Sequence, residues 1–528
     1  MSLIGVDIEE VSENYIKIEY NPNRPDLGTL IGLSRAYKGI TREETGLITY
    51  KVYEGDYLIK VDSSVNRVRP YIAGVVIKNV PMDEDLLLEL IAYQEDLHQG
   101  IGRKRRKVAI GIHNLDVIRF PLEYRALSDE NYKFIPLNRK EEMSIGEILT
   151  STETGKKYGY IIADSKLYPL IFDHYERVLS FPPIINANFT KVTPNTKNLF
   201  IDVTGTDFNA VMNTVNLLST YFHDLNAEVW RLEVIYPNTE KIVSPRLETN
   251  ETSVDKELIN KLLGLNLSDS TIVECLKACR LDAVVEKNVV KVKYPPYRVD
   301  LLHPVDIVEE VAIGFGYENM VPELPEVNQI GQRNLKLEFA SIISELIIGM
   351  GFQEVMTFTL SNIRTQFVKM NLEPINYIKV LKPKSGDLEI FRKWIIPNLL
   401  TVLRQSQKER LPQKIFEIGK VAYKVQNDVI EELHLALTIT YNLAGYSDVK
   451  AVIDTLFDIL ELNFKINETS HPSFIYGRVG EITVGSKNLG IIGEIHPSVL
   501  ESFSIENPIS ALEINLDALY EVYKQRLR

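Results

Sequence analysis

Two hydrophobic periods alternate along the chain. "NYIKIEY", Asn14 to Tyr20, alternates apolar and polar residues as a half-buried strand does, and "NPNRPDLGTL" then turns the chain sharply. Further on, strand-like runs at "KVAIGIHNLDVI" and "NLFIDVTGTD" lead into an amphipathic helix from Phe208 to about His223. A later stretch reads as two helices, the second "STIVECLKACRLDAVV", then the short strand "NVVKVKYPP", an acidic helix and a proline-spaced exit "VPELPEV". The last part alternates helices such as "LKLEFASIISELIIGMGF" with strands such as "HLALTITYNL" and a hairpin through "VGSKNLG".

The pattern predicts an α+β multidomain protein with four parts. These are an N-terminal element (1–60), an α+β domain (61–238), a small helix-and-strand module (244–324) and an antiparallel sheet with flanking helices (326–528). A length of 528 residues agrees, because one core rarely grows that large. The apolar share of 45% is ordinary for a soluble protein, no apolar run approaches a membrane span, and the start is acidic; all three point to the cytoplasm. A net charge of −13 excludes nucleic-acid binding by bulk charge, so any RNA contact has to come from a local patch. Cys275 and Cys279, one helical turn apart, read as buried reduced thiols, since no third Cys or nearby His completes a zinc site.

Candidate chemistry gathers in two places. "YRVDLLHPVDIVEEV" holds Asp300, Asp306, Glu309 and Glu310 within eleven residues, with Pro304 suited to the first turn of a helix. Asp306, Glu309 and Glu310, at i, i+3 and i+4, are expected on one helix face. Such acids complement the helix dipole, or they hold a hard divalent cation, magnesium or calcium; the spacing leaves both open. In "FIDVTGTD", Thr206 or Asp207 caps the following helix, while Asp202 and Thr204, two apart, share one strand face. Upstream, "LSFPPIINANFTK" stiffens the backbone at Pro182-Pro183 close to Asn186, so a small polar pocket is expected there. "RKRRK", Arg103 to Lys107, reads as a solvated loop, with a phosphate contact as the alternative; flanking His98 and His113 read as surface or packed histidines. No P-loop occurs, and the last domain lacks the glycine-rich stretch ending in arginine that class II synthetases use for ATP.

The segments "KIEYNPNRPDLGTLIGLSRAYKGI", "LSFPPIIN", "FIDVTGTD", "YPPYRVDLLHPVDIVEEVAIGFGYENM" and "KIFEIGKVAY", in this order, make the chain resemble the β subunits of phenylalanyl-tRNA synthetase of the archaeal and eukaryotic type. Family members usually carry a further strand and helix before the first segment, so the resemblance implies an incomplete N-terminal element. It also implies that the 61–238 domain is an editing domain, which hydrolyses tyrosine wrongly attached to phenylalanine tRNA. Its pocket residues are then Asp202, Thr204, Ser180, Asn186 and Leu170. Such a second pocket is needed because an apolar site rejects an added hydroxyl by only about 10²-fold. The resemblance implies that the 244–324 module is winged-helix-like and carries magnesium (Mg2+) on Asp300, Asp306, Glu309 and Glu310. It implies that the last domain is a class II synthetase fold without catalytic motifs. That domain packs on a catalytic α subunit in an (αβ)2 heterotetramer. Aminoacylation with ATP then belongs to the partner. The other reading is a non-catalytic RNA- or protein-binding scaffold derived from this subunit.

Overall fold

The computed structural model describes residues 2–13, 15–237, 241–325, 329–426 and 428–526; Asn14 of the first expected strand lies outside them. The protein is mixed α+β and divides into two compact units, Met1–Leu324 and Pro325–Arg528. Among the described residues no helix is long and apolar enough to cross a membrane.

The first unit is built around two sheets. A five-stranded sheet takes the order Val52–Tyr53, Glu228–Trp230, Tyr71–Lys78, Leu199–Gly205, Val108–Asn114. A seven-stranded sheet runs Ile185–Asn186, Val178–Phe181, Tyr168–Phe172, Leu122–Leu127, Leu58–Val61, Leu232–Ile235, Lys241–Ser244. Strand alternation decides which residues go where. Ile201 and Val203 of the central strand join Val75, Val211 and Val215 in a core under the helices Glu84–Gln99 and Phe208–Asp224. Phe200 faces the other way, into a second core with Tyr124, Ile171 and Leu179 of the seven-stranded sheet. Asp202 and Thr204 follow Phe200 at two-residue steps, so the central strand carries them to the space between the sheets.

The strands Val52–Tyr53 and Leu58–Val61 are members of these sheets, which corrects the expected start of this domain at 61. The N-terminal element proper is the hairpin Val6–Val11 with Ile16–Tyr20 and the helix Leu30–Ile40, with a small core of Ile4, Val6, Leu27 and Leu33. After Ser244 a three-stranded antiparallel sheet, Asn250–Asp255, Val289–Tyr294, Asp282–Glu286, packs with three helices, the last being Pro304–Phe315. The cysteine segment divides. Its helix ends at Ala278, Cys279 sits at the C-cap, and Asp282–Glu286 is a strand.

In the second unit the order is Gln353–Glu354, Gln413–Val425, Asp428–Thr440, Ile509–Asn515, Lys487–Ile495, Phe474–Val484, Lys465–Glu468, antiparallel except at the first pair. One face is covered by the helices Leu335–Gly349, Tyr446–Ile459 and Leu516–Arg526, the other by Ile396–Gln405 and Pro497–Phe503.

Candidate functional site

Asp202, Thr204, Ser180 and Asn186 all line one cavity of about 150 Å³, walled from both sheets of the first unit. That is an order of magnitude more than one water needs. Leu170 is not in its wall. It is fully buried in an apolar cluster with Tyr158, Phe181 and Ile184, which back the cavity.

Asp202 is 1% exposed and stands opposite Gly111 and Gly74 on the neighbouring strands. A Cβ at Gly111 would lie 2.2 Å from Asp202 Oδ1 and 2.8 Å from His113 Nε2, so only glycine leaves room for this pair. His113, fully buried, bridges Asp202 Oδ1 at 2.7 Å and Thr190 Oγ1 at 2.8 Å. As a carboxylate Asp202 only accepts, so the His113 proton sits on Nε2 toward it. Expected as a packed or surface histidine, His113 is a packed one, and it orients the acid.

Thr204 is held by Arg69, whose Nε donates to Thr204 Oγ1 at 2.9 Å and whose Nη2 donates to Thr204 O at 2.7 Å. Burial pulls the Arg69 guanidinium down to about 10, and nearby Tyr124 and Asp202 offset part of that effect; it stays charged at neutral pH. Ser180 Oγ donates to Asn186 Oδ1 at 2.9 Å, and Asn186 Nδ2 donates to Ile112 O at 3.4 Å. The serine proton therefore goes to an amide oxygen and not to a base, so Ser180 is no activated nucleophile. What the arrangement can do is bind a polar group and position water.

Three further residues line it: Gln94 and Thr154, which carried no sequence signal, and Arg105, which was singled out only as part of a basic run. Arg105 belongs to "RKRRK", expected as a solvated loop or a phosphate contact; Arg103, Lys104 and Arg106 are exposed, but Arg105 turns inward, because Glu95 receives its Nη2. The period-2 pattern of neighbouring strands cannot reveal a charge drawn in from a loop.

The acidic segment takes a different form. Arg298, 2% exposed, bonds Asp300 through Nε and Nη2 at 2.9 and 2.7 Å and Glu310 through Nη1 and Nη2 at 2.8 and 2.6 Å. Burial pushes the Glu310 carboxyl up, yet Arg298 outweighs it and leaves Glu310 below the ordinary glutamate value. Asp306 Oδ2 accepts the N–H groups of Leu302 and His303 at 2.7 and 2.6 Å, closing the start of its own helix. Glu309 faces solvent. The expected common face for Asp306, Glu309 and Glu310 is thus corrected: adjacent helix positions are about 100° apart, enough to send Glu310 inward and Glu309 out. The four acids do not fit a shared magnesium ion, because a guanidinium holds two of them and backbone N–H groups hold the third. Among the described residues no group of three or more His, Cys, Asp or Glu side chains is placed to hold a metal ion.

With this geometry in hand, the comparisons with known proteins can be set beside it. Residues 252–317 match the tRNA synthetase B5 domain, and 321–516 match the phenylalanyl tRNA synthetase beta chain CLM domain. The phenylalanine–tRNA ligase beta subunit of Archaeoglobus fulgidus is 40% identical over 99% of this chain and 94% of its own length. That of Methanocaldococcus jannaschii is 40% identical over 98% and 95%. The crystal structure of an N-terminal fragment of the phenylalanyl-tRNA synthetase beta-subunit from Pyrococcus horikoshii is 37% identical, covers 60% of this chain and 92% of its own, and superposes with a TM-score of 0.58. Matched almost end to end at this identity, the chain belongs to the family of phenylalanine–tRNA ligase beta subunits.

Proposed function

We propose that the chain works in the cytoplasm as the β subunit of an (αβ)2 phenylalanine–tRNA ligase, and that its inter-sheet cavity hydrolyses tyrosine from mischarged phenylalanine tRNA. The observation that carries this reading is the Asp202 carboxylate, fixed by His113 in the wall of a cavity otherwise lined by hydroxyl, amide and apolar groups and the Arg105 guanidinium. Asp202 accepts the phenol hydroxyl of tyrosine. Phenylalanine brings no such donor and sets an apolar ring edge against the carboxylate oxygen that His113 does not hold, a penalty of about 1–3 kcal/mol that turns correctly charged tRNA away. Ser180 lacks a base, so water attacks the ester directly, with Asn186 and Thr204 orienting the bound residue. Exposed Arg103, Lys104 and Arg106, next to Arg105 in the cavity wall, suit the phosphates of an incoming acceptor end.

A partner chain is supported by the second unit, which has the antiparallel sheet expected of a silent class II synthetase domain. Its helix Leu335–Gly349 buries Phe339, Ala340, Ile343 and Ile347 yet leaves Leu335, Leu337, Ile342 and Ile348 exposed. A helix apolar on both sides wants a cover on both. The α subunit is that cover and performs the ATP-dependent attachment. No step of the proposed hydrolysis passes through magnesium.

The test is deacylation of tyrosyl-tRNA by the co-expressed αβ complex. Asp202→Asn is expected to slow it by about tenfold or more, the value of one well-placed polar contact, and to leave phenylalanine attachment unchanged. Wild-type deacylation by the variant would refute this site. A wild-type complex that leaves tyrosyl-tRNA intact would leave only the scaffold role.

A further inference from the structure

Three cations converge on the second unit. Arg364 stands in the short helix Ile363–Gln366, Lys369 in the turn Val368–Met370 that follows, and Arg404 in the last turn of Ile396–Gln405. Packing brings these elements together: Met370, Leu399, Leu400, Leu403 and Phe503 share one core, and Lys369 Nζ lies 4.6 Å from the ring centre of Phe503. Burial, with the charges of Arg364 and Arg404 added to it, pulls the Lys369 ammonium below the ordinary lysine value, and no carboxylate offsets the repulsion. Among the described residues none of the three cations enters an ion pair. Elsewhere in this unit charges drawn together are opposite, as in Arg392 with Glu417 and Lys336 with Asp517.

A cation in the last turn of a helix complements its dipole, but elements of four and three residues have little dipole to complement. That accounts for Arg404 alone. The like charges are held close by the backbone around them. Gln366, fully buried, donates from Nε2 to Asn398 Oδ1 at 2.9 Å and accepts Lys393 N–H on Oε1 at 2.9 Å, and its carbonyl accepts Trp394 Nε1–H at 3.2 Å. A rigid set of unpaired cations suits an anion with several charges. The neighbouring Thr365, Thr401 and Gln405 line an open groove of about 500 Å³ that also holds exposed Phe358 and one carboxylate, Asp387. Hydroxyl, amide and aromatic groups beside clustered cations match ribose, phosphate oxygen and base better than they match an acidic peptide.

We propose that Arg364, Lys369 and Arg404 form a docking surface for the sugar–phosphate backbone of the tRNA. This rests on the reading of the chain as a subunit of a tRNA ligase complex. The two guanidiniums clasp phosphate oxygens, and the Lys369 ammonium adds a point charge to a neighbouring phosphate. A chain of net charge −13 repels RNA over most of its surface, so a local patch of this kind sets where the RNA lies.

The test is the salt dependence of phenylalanine tRNA binding by the co-expressed αβ complex, measured by filter binding between about 50 and 200 mM salt. Each phosphate contact contributes about one to the slope of log affinity against log salt. The triple variant Arg364→Gln, Lys369→Gln, Arg404→Gln is therefore expected to lower that slope by about two to three and to weaken binding about tenfold or more. Arg364→Lys with Lys369→Arg and Arg404→Lys keeps the charge and should keep the slope. An unchanged slope in the glutamine variant would mean that the cations touch no RNA. Loss of the α subunit from that variant would mean that they hold an acidic stretch of the partner instead. The same fall in slope in the charge-keeping variant would mean that shape and not charge is at work. Any of these three overturns the docking surface alone, since the wild type still binds tRNA. A wild-type complex that binds no tRNA overturns the subunit reading and the docking surface with it.

Discussion

The inter-sheet cavity and the acidic helix Pro304–Phe315 look alike in sequence, since each sets carboxylates at the spacing of its own secondary structure, but they end in opposite states. At the helix, Glu310 meets Arg298 and the site closes. Around it the same unit adds Arg24 and Arg35 against Asp26, with Arg35 3.7 Å from the ring centre of Tyr297 and bonded to Asp224. In the cavity, Asp202 is bonded to a histidine, and the space in front of it stays open. Like acids are thus sealed off or left facing open space according to whether the facing element brings a full counter-charge.

That contrast can be broken most directly at Arg298. Arg298→Ala strands the buried Glu310 carboxylate and the half-buried Asp300 and is expected to cost about 3–5 kcal/mol in denaturant unfolding; a cost under about 1 kcal/mol would mean that the acids have another partner, a cation among the candidates. Asp202→Asn keeps the shape and should cost less, about 1–3 kcal/mol, while reducing tyrosyl-tRNA hydrolysis. A stability loss as large as that of Arg298→Ala would make Asp202 a structural acid after all.

Acid pH separates the two regions further. Burial pushes the Asp26 carboxyl up, but Arg24 and then Arg35 outweigh it and hold it at about 2. Its contribution to stability is complete above the ordinary aspartate value near 4 and is lost as pH falls from there toward 2. Arg24→Gln should flatten that part of the stability profile; an unchanged profile would remove the Asp26 cluster from the account. Smaller still is Asp306→Ala, about 1 kcal/mol for a lost helix cap. Last comes Glu309→Ala, within about 0.5 kcal/mol, as for other exposed positions. Neither value should change when magnesium is replaced by chelator, and a magnesium-dependent difference in melting temperature beyond about 2 °C would reinstate the cation.

Much of the local structure was legible in the sequence. The alternation in "NLFIDVTGTD" gives the strand Leu199–Gly205, and Asp207 caps the next helix by accepting from Ala210 N–H at 2.9 Å. The shared face of Asp202 and Thr204 followed from their spacing. The helical reading of "STIVECLKACRLDAVV" ran too far, because Asp282–Glu286 pairs as a strand with Val289–Tyr294, a contact no helical period encodes. Arg105 was hidden in a run of like charges whose bland expectation fits its exposed neighbours.

What the sequence by itself determined is direction: which residues lie on one strand face, where a helix starts, which stretches are apolar enough to be buried. These depend on neighbours two to four positions away, and the backbone period carries them. What each side chain meets was decided only by the tertiary structure. His113 reaches Asp202 across 89 positions and Arg69 reaches Thr204 across 135, because strand order, not spacing, puts them together. A carboxylate's chemistry depends on its counter-charge and on the space in front of it, and both come from elements far away in the chain.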